Sequence, residues 1–173
     1  YLAKNAKKEV KIHTPYIICN DYMYNELKNI KVPTTIMTNS AENNGNIFGA
    51  VDYLNHKKDI INTGVTIKEY EGGISYHGKS MTIDDDIAIV GSFNMDMRSA
   101  YIDTELMLVI NSKDINKQLK ASMEEYEKKA ATVKNETEYS HIPEGMKMKE
   151  LSDKKKNIKA WFGWAMNGLR FLF

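Results

Sequence analysis

Four polar residues near the middle of the chain, His77, Lys79, Ser92 and Asn94, are of the types that phosphoryl chemistry uses. A neutral imidazole is a nucleophile near neutral pH, and a nearby ammonium can hold the anionic oxygens of a phosphodiester. A hydroxyl and an amide can donate hydrogen bonds to the same oxygens. Because side chains two residues apart on a strand share a face, each pair is expected to point one way. These residues therefore predict chemistry on a phosphodiester.

Glu105 is the predicted partner of the imidazole. It stands at the start of an apolar stretch that we expect to form a strand. A carboxylate there can accept a hydrogen bond from one ring nitrogen, which fixes the tautomer and leaves the other nitrogen free to react. Taken singly, each residue has a simpler explanation, because a lone histidine is usually structural and a lone lysine or glutamate is usually solvated. Only the combination indicates a site.

The elements that position these residues follow from the spacing of apolar side chains. Short alternating or β-branched stretches predict strands at 10–14, 34–38, 65–70, 76–83, 87–93 and 105–110. Apolar repeats of helical period predict helices at 21–30, 47–61 and 114–130. Strands that alternate with helices are typical of an α/β domain, here with a mixed, mostly parallel sheet flanked by helices.

We expect three regions along the chain. Residues 1–131 form the α/β domain, 132–152 are polar and poorly periodic and are interpreted as a linker, and 153–173 form an amphipathic helix. Its apolar face carries Ile158, Trp161, Phe162, Ala165, Leu169 and Leu172, and its other face carries Lys156, Lys159, Gly163, Asn167 and Arg170. Such a helix suits a membrane interface. The alternative is that its apolar face packs on another protein surface.

The uneven distribution of charge along the chain indicates which kind of partner the protein binds. The chain of 173 residues has a net charge of +1, but residues 145–173 carry six lysines and one arginine against two acidic residues, a net +5, which leaves −4 for the rest. An acidic body argues against a nucleic-acid partner, whereas a basic, aromatic tail suits an anionic membrane surface. The single cysteine, Cys19, excludes an internal disulfide and favours a reducing compartment. We therefore expect a peripheral protein on the cytoplasmic face of the cell membrane.

The spacing as a whole is more specific than any single residue. Residues 77–94 read His-x-Lys-x(4)-Asp-x(6)-Gly-Ser-x-Asn. This pattern resembles the HKD motif of the phospholipase D superfamily, and the resemblance implies that fold and a phosphohistidine intermediate. It also implies a catalytic set of His77, Lys79, Asp84 and Glu105, with Asp84 mainly a structural support, and phosphate binding by Ser92 and Asn94.

Members of that superfamily need no metal or other cofactor, so the acidic run at 84–86 is interpreted as a turn rather than a metal site. The loop Asn94-Met95-Asp96-Met97-Arg98-Ser99, followed by Thr104-Glu105, narrows the resemblance to the bacterial cardiolipin synthase branch, and to its C-terminal catalytic half. The similarity covers about residues 1–130, with mild departures at Gly78, Met97 and Asp103. Two roles for Arg98 stay open: it binds a lipid phosphate with two hydrogen bonds, or it is braced by Asp96.

The active site of that family is built from two such motifs, and this chain carries one. His13 and His141 lack a lysine two residues on, and His56, although followed by Lys58, lacks the Asp, Gly-Ser and Asn at the required gaps. We therefore expect a missing N-terminal half with the first motif, or else a second copy of the chain. The isolated chain is accordingly expected to be almost inactive.

The resemblance implies a phosphatidyl transferase similar to cardiolipin synthase, which acts on phosphatidylglycerol through a phosphohistidine. The alternative is a phospholipase D-type nuclease or phosphodiesterase that works as a homodimer. A catalytically silent membrane-docking module is a third class, which the intact motif argues against.

Overall fold

A mixed eight-stranded sheet organises the chain in a computed structural model, which describes residues 1–166, 168 and 170–172, with the backbone alone at 162, 164–166 and 171. The strands are β1 (Val10–His13), β2 (Ile17–Ile18), β3 (Thr34–Asn39), β4 (Thr66–Tyr70), β5 (Ser80–Ile83), β6 (Ile87–Gly91), β7 (Met95–Asp96), β8 (Met107–Asn111), β9 (Ala130–Val133) and β10 (Tyr139–His141). The helices are α1 (Asp21–Lys28), α2 (Ile47–Ile61), α3 (Met97–Tyr101), α4 (Lys113–Glu127) and α5 (Asp153–Met166).

The strands of the large sheet lie in the order β10-β9-β4-β3-β1-β5-β6-β8. The central strands β1, β3 and β4 are parallel. The strands added on either side pair in antiparallel fashion, and β2 and β7 form a separate parallel pair. This is the α/β architecture with a mixed sheet that the alternating periods predict.

The main core lies between the sheet and the helices α1 and α2. Val10 and Ile12 of β1 and Ile36 of β3 point to this face, where they meet Leu27 of α1 and Ile60 of α2. All five side chains are less than 9% exposed. Burial of side chains of this size contributes about 1.5–3 kcal/mol each, so this layer holds the strand ends that carry the site in place.

The opposite face of the sheet, which α4 covers, combines a small apolar cluster of Met37, Tyr70 and Ala130 with buried polar groups. The buried His13 of β1 lies 3.2 Å from Glu127 of α4 and 3.3 Å from the Tyr76 hydroxyl. Lys68 of β4 donates to the other oxygen of Glu127 at 2.6 Å. Burial works to raise the pKa of Glu127, but hydrogen bonds from His13 and Lys68 outweigh it and hold the pKa at about 2. The carboxylate therefore joins β1, β4 and α4.

Polar N-caps set where three helices begin. Asn20 accepts the Met23 N–H of α1 at 3.0 Å, and Asn46 accepts the Gly49 N–H of α2 at 3.1 Å. Ser112 caps α4, which begins at Lys113, one residue before its predicted start. The difference is small, because the apolar period does not fix the first turn.

Three strands are shorter than predicted at the end that carries the candidate site residues. Residues 76–79 stay outside β5 because the main chain of Tyr76 bonds to the side chain of Asn39 (N to Oδ1 2.8 Å, O to Nδ2 2.9 Å) instead of to a neighbouring strand. β6 also ends before its predicted limit, at Gly91, and β8 begins after its predicted start, at Met107. His77, Lys79, Ser92, Asn94 and Glu105 therefore lie on loops, and strand alternation does not orient them.

The segment at 132–152, predicted to be a linker, carries strand structure. β9 pairs with β4 and β10 pairs with β9 at the edge of the sheet. Ala130 and Ala131 are buried, and Tyr139 donates to the buried Glu69 at 2.5 Å. Two short strands of mixed composition give no periodic signal, because a long-range partner rather than local pattern determines them.

The C-terminal segment docks on the domain through its polar residues. The ammonium of Lys155 is buried against three carbonyl oxygens, those of Ala41 (2.8 Å), Glu42 (2.6 Å) and Asn44 (2.9 Å). Arg170 donates to both oxygens of Asp52 on α2, at 2.7 and 3.1 Å.

The predicted apolar face of this segment is only partly described. Trp161 is 75% exposed and Leu172 is 46% exposed, whereas the side chains of Phe162, Ala165 and Leu169 lie outside the described residues. Gly163 and Arg170, predicted on the outer face, lie against α2, where the Gly163 carbonyl accepts from Asn55 at 3.1 Å. Within the described residues no helix is both long and apolar enough to cross a bilayer.

Candidate active site

Three loops meet at one end of β5, β6 and β8 and bring the predicted residues together. The Gly91 N–H donates to the Lys79 carbonyl at 3.3 Å, and the Ser92 N–H donates to the Leu106 carbonyl at 3.0 Å. Gly91 is required there, since a Cβ at this position would lie 2.1 Å from the Leu106 carbonyl oxygen. The sheet thus places the histidine loop, the serine loop and the glutamate loop side by side.

His77 and Lys79 form the chemical centre. The Lys79 ammonium lies 2.8 Å from His77 Nδ1 and 3.0 Å from the His77 carbonyl oxygen. Burial, followed by the positive charge of Lys79, lowers the pKa of His77, so the ring is neutral near pH 7. Because an ammonium only donates, Nδ1 acts as the acceptor and the proton of the neutral ring is on Nε2.

Glu105 is held by two serines. Ser92 Oγ makes a short hydrogen bond to one carboxylate oxygen, and Ser99 Oγ donates to the other at 2.7 Å. These two bonds lower the pKa of Glu105, so it is ionised. The predicted hydrogen bond to His77 is not formed; among the described side chains, the carboxylate bonds to the serines alone. Ser92 uses its only proton on Glu105 and must turn to donate to a phosphate.

Asn94 lies beside Ser99, one of the two serines that hold Glu105. Its Nδ2 and its backbone N–H both lie 3.3 Å from Ser99 Oγ. Its Oδ1 is buried and has no hydrogen-bond partner in the part of the chain that the structure describes. A buried acceptor without a donor costs free energy, which a donor on a ligand would recover.

Arg98 is braced, but not by Asp96. Its Nε lies 3.1 and 3.2 Å from the carboxylate oxygens of Asp103, while Asp96 caps α3 by accepting the Ser99 N–H at 2.5 Å. The Arg98 side chain remains half exposed. It therefore keeps donors on its other nitrogens that an anion could use.

Asp84 lies away from this centre, although the predicted catalytic set includes it. It follows β5 at the end opposite to His77, about 13 Å along the strand from Ser80. Its carboxylate accepts the backbone N–H groups of Lys7 (2.9 Å), Lys8 (2.7 Å) and Glu9 (3.2 Å), and its backbone has a positive φ of 52°. Asp84 supports the turn before β1. It takes no part in the reacting centre, and its role is the structural one that the motif implies.

A cavity of about 370 Å³ adjoins His77. Besides His77, its walls are Pro15, Tyr16, Asn44, Gly45, Asn46 and Ser75. Sequence spacing alone gives no role to the residues of this wall or to Ser99. Asn44, Gly45 and Asn46 belong to the polar run at 39–46, which reads as an ordinary loop. No group of three or more metal-binding side chains lies close together within the described ranges.

The chain matches one protein family over most of its length. The family model described as "Cardiolipin synthase, PLD-like domain" matches residues 2–126. Cardiolipin synthase 1 of Staphylococcus epidermidis is 31% identical over 149 residues, which are 84% of this chain and 30% of that protein. The chain thus spans less than a third of that relative's length.

Two solved structures share the fold at low sequence identity. The phospholipase D family member Nuc of Salmonella typhimurium has a TM-score of 0.62 at 18% identity, covering 76% of this chain and 86% of Nuc. Phosphatidylserine synthase of Haemophilus influenzae has a TM-score of 0.70 at 16% identity, covering 98% of this chain and 42% of that chain.

Proposed function

Because the chain belongs to the cardiolipin synthase family with a phospholipase D-like domain, we propose that it is one catalytic half of a phosphatidyl transferase that acts on phosphatidylglycerol. His77 and Lys79 are its reacting pair, Ser92, Asn94 and Arg98 bind phosphate, and Glu105 orients an imidazole. The donor set needs no metal, since Lys79 supplies the positive charge and an imidazole supplies the nucleophile.

The observation that carries this proposal is that, among the described residues, neither His77 nor Glu105 contacts the partner that the reaction requires. His77 Nδ1 faces an ammonium, yet an attacking imidazole needs a proton acceptor at that nitrogen. Glu105 is an ionised acceptor that contacts no imidazole among the described residues. A second half with the same arrangement would satisfy both, because each Glu105-type carboxylate could orient the histidine of the other half.

The reaction then proceeds in two steps. A nitrogen of one neutral imidazole attacks phosphorus, and the bond from phosphorus to the headgroup glycerol oxygen breaks as the second histidine, protonated as an imidazolium, donates its proton to that oxygen and becomes neutral. Next, the hydroxyl of another phosphatidylglycerol gives its proton to the second imidazole and attacks phosphorus, and the phosphorus–nitrogen bond breaks. Lys79 leaves His77 when the phosphate binds, because an anion attracts the ammonium more strongly than a neutral ring does.

An exposed apolar patch beside the site fits the missing half. Leu106, Leu108 and Val109, at the start of the edge strand β8, are 79%, 58% and 50% exposed, and Ile102 nearby is 57% exposed. An open edge strand with exposed apolar side chains is a surface that proteins normally cover. Leu106 directly follows Glu105, so a partner on this patch would also meet the site.

A homodimeric phosphodiesterase is the second candidate. The fold match covers nearly the whole of Nuc but less than half of phosphatidylserine synthase, so the domain occurs both as most of a chain and as one part of a longer one. A second copy could then supply the missing half. The acidic body disfavours a nucleic-acid substrate, because the net charge of −4 on residues 1–144 would repel a polyanion.

We also infer that the protein sits on an anionic membrane surface, on the cytoplasmic face. Trp161 projects from α5 at 75% exposure, and Lys154, Lys156 and Lys159 around it are exposed. An exposed tryptophan among lysines is the composition of an interfacial anchor.

The test is phosphatidyl transfer measured on phosphatidylglycerol vesicles, with cardiolipin and glycerol quantified across a protein concentration series. We expect almost no transfer at dilutions where the 173-residue chain is monomeric, because a missing general acid alone costs about 10²–10⁴ in rate. Transfer should appear when the rest of a longer protein is present. Robust transfer by the monomer contradicts the two-half proposal, whereas transfer that rises with dimer formation favours the homodimer.

The matched variants are His77→Ala and His141→Ala, in the active assembly. Loss of His77 should lower transfer by at least about 10³-fold, since no other group replaces an imidazole in either step. His141 is exposed on β10, so its variant should retain normal activity. Near-normal cardiolipin formation by a folded His77→Ala protein would refute the assignment.

A further inference from the structure

The loop at 76–79, which carries His77 and Lys79, packs against the side chain of its own first residue, Tyr76. The tip of the Tyr76 ring lies against Gly78, so that a Cβ at position 78 would overlap the Tyr76 hydroxyl oxygen and lie 2.5 Å from Cζ and 3.0 Å from Cε1. Atoms that are not bonded to each other do not approach so closely. Position 78 therefore needs glycine for as long as Tyr76 keeps this place.

Three neighbouring rings hold the Tyr76 ring. Its centroid lies 4.8 Å from that of Tyr126 on α4, 5.9 Å from that of Tyr70 on β4 and 5.6 Å from that of His13 on β1. All three pairs meet edge to face, a favourable arrangement for aromatic rings. Because a ring packed in this way cannot swing aside at low cost, a side chain at position 78 would have to move the loop instead.

The buried His13 connects the Tyr76 hydroxyl to the interior of the domain. Its Nε2 lies 3.2 Å from the ionised Glu127 carboxylate and therefore carries a proton, which leaves Nδ1 of the neutral ring as an acceptor. The Tyr76 hydroxyl lies 3.3 Å from that Nδ1. Burial raises the pKa of Tyr76, so the phenol keeps the proton that this contact needs.

The main chain of the loop is fixed at both ends. Asn39 bonds the backbone N and O of Tyr76, and the Gly91 N–H donates to the Lys79 carbonyl. His77 lies between these two anchors and is exposed. The path of the chain between them determines whether the Lys79 ammonium reaches Nδ1 of His77, from which it lies 2.8 Å away.

We propose that Tyr76 and His13 are positioning residues for the reacting pair. His13 holds the phenol, the phenol sets the path of the loop at 76–79, and that path keeps the Lys79 ammonium against His77. The His13 side chain is 1% exposed, so it cannot touch a substrate and acts only through Tyr76. The consequence for turnover rests on the proposed function, whereas the effect on the His77–Lys79 contact does not.

Gly78→Ala tests the contact, and Gly72→Ala is its matched control. A Cβ at position 72 would overlap the hydroxyl oxygen of Tyr70 and lie 2.7 Å from its Cε2. Each variant therefore forces a methyl group against a tyrosine of the same ring cluster, but only Gly78 belongs to the loop at 76–79. Both variants should be less stable in urea, and only Gly78→Ala should move Lys79 away from His77.

NMR titration of the His77 ring in the 173-residue chain detects this movement without turnover. Burial and then the Lys79 charge hold the pKa of His77 below its ordinary 6.5. In Gly78→Ala the pKa should rise toward 6.5, and in Gly72→Ala it should equal that of wild type. A wild-type pKa in a folded Gly78→Ala protein overturns the proposal.

Relief of the overlap is the second measurement. Tyr76→Leu keeps an apolar side chain but lacks the outer ring atoms and the hydroxyl that Gly78→Ala would meet. In the active assembly, Gly78→Ala should lower kcat by about 10²-fold when Tyr76 is present, since a displacement of about 1 Å can cost that much. Added to Tyr76→Leu, it should lower kcat by less than about threefold further. Equal losses in the two backgrounds contradict the contact.

Variants of His13 test its role without any overlap in the loop. His13→Leu removes the acceptor of the phenolic proton, so kcat should fall by about threefold to tenfold at unchanged KM, and the pKa of His77 should rise. His13→Asn keeps an acceptor close to the position of Nδ1 and should recover most of both changes. Wild-type kcat and His77 pKa in His13→Leu would overturn the role of His13.

The two proposals fail in different ways. If wild type transfers nothing, but the His77 pKa responds to Gly78→Ala and not to Gly72→Ala, the positioning role is supported and the proposed reaction is wrong. If transfer occurs while both glycine variants leave the His77 pKa unchanged and lower kcat equally, the reaction stands and the positioning role is wrong.

Discussion

At the residue scale, the contact between Lys79 and His77 determines how the histidine titrates. Burial and the lysine charge both lower the pKa of His77 below its ordinary 6.5. In Lys79→Met the second contribution disappears, so the pKa should rise toward 6.5, whereas Lys79→Arg keeps the charge and should keep the pKa low. The measurement is NMR titration of the His77 ring protons, assigned by their absence in His77→Ala. An equal pKa in Lys79→Met and wild type would contradict the contact.

Glu105 offers a second prediction at this scale. Glu105→Gln removes the ionised acceptor that we propose orients an imidazole, but it keeps the side-chain shape. In the active assembly we expect kcat to fall by about 10²-fold or more with little change in KM. Glu125, an exposed residue of α4 paired with Lys128, gives the control Glu125→Gln, which should behave as wild type. A change confined to KM would show that Glu105 binds substrate instead.

The sequence predicted much of this neighbourhood but not its local geometry. The motif spacing identified residues that the structure brings together at one sheet end, because such spacing reflects a fixed chemistry. The predicted strand orientation of His77 and Lys79 was wrong, since Asn39 bonds the main chain of Tyr76 and β5 begins only at Ser80. Ser99 was missed because its bond to Glu105 depends on the path of a loop, which no periodicity records.

At the element scale, Glu127 ties α4 to β1 and β4, and its effect depends on pH. Its pKa in the folded chain is about 2, against 4.5 for an ordinary glutamate. It therefore stabilises the fold by about 3 kcal/mol above pH 5, and this contribution is lost as pH falls from about 5 toward about 2. Glu127→Gln should cost a similar free energy at pH 7 and much less near pH 3.

Urea unfolding of both proteins at the two pH values measures this difference. Glu125→Gln, on the same helix but exposed, should show no pH-dependent change. A destabilisation of Glu127→Gln that is the same at pH 7 and pH 3 would mean that lost packing, not the charge, is responsible.

The pair Arg170–Asp52 tests whether the C-terminal segment is part of the fold. Asp52 is buried, and Arg170→Met would leave its carboxylate without this partner, at a cost of about 3 kcal/mol. The double variant Asp52→Asn, Arg170→Met should be more stable than Arg170→Met alone. Arg98→Met, which breaks an exposed pair, should cost less than about 1 kcal/mol. Chemical denaturation measures the free energy of unfolding of these variants. Equal losses for Arg170→Met and Arg98→Met would contradict docking of the C-terminal segment.

The element pattern shows what sequence periodicity can and cannot predict. The α/β class and helices α1, α2 and α4 were predicted, because their apolar faces repeat over several turns. The strands β9 and β10 were not, since the chain there has only four and three paired residues and an edge position determined by β4. The docking of Lys155 and Arg170 was also missed, because buried basic residues look like solvated ones in a sequence.

At the scale of the whole molecule, Trp161 and the lysines around it should direct the protein to anionic membranes. Trp161→Ser should weaken binding to phosphatidylglycerol-containing vesicles by about tenfold, since about 1.4 kcal/mol of apolar burial is lost. Tyr22, an aromatic residue 65% exposed on α1, provides the control Tyr22→Ser. Vesicle co-sedimentation at low and high salt separates the contribution of apolar burial from that of the lysine charges. Unchanged binding in Trp161→Ser would exclude this anchor.

The hold of Lys155 on the loop at 41–44 also orders events during synthesis. The two partners are more than 110 residues apart, and chains fold progressively as they leave the ribosome. The sheet strands β1, β3 and β4 can pair early, but the wall of the His77 cavity gains its buried ammonium only after the last strand has been made. A nascent chain therefore carries residues 77–94 before Lys155 can hold the loop at 41–44, so the cavity beside His77 takes its final form only after the motif has been synthesised.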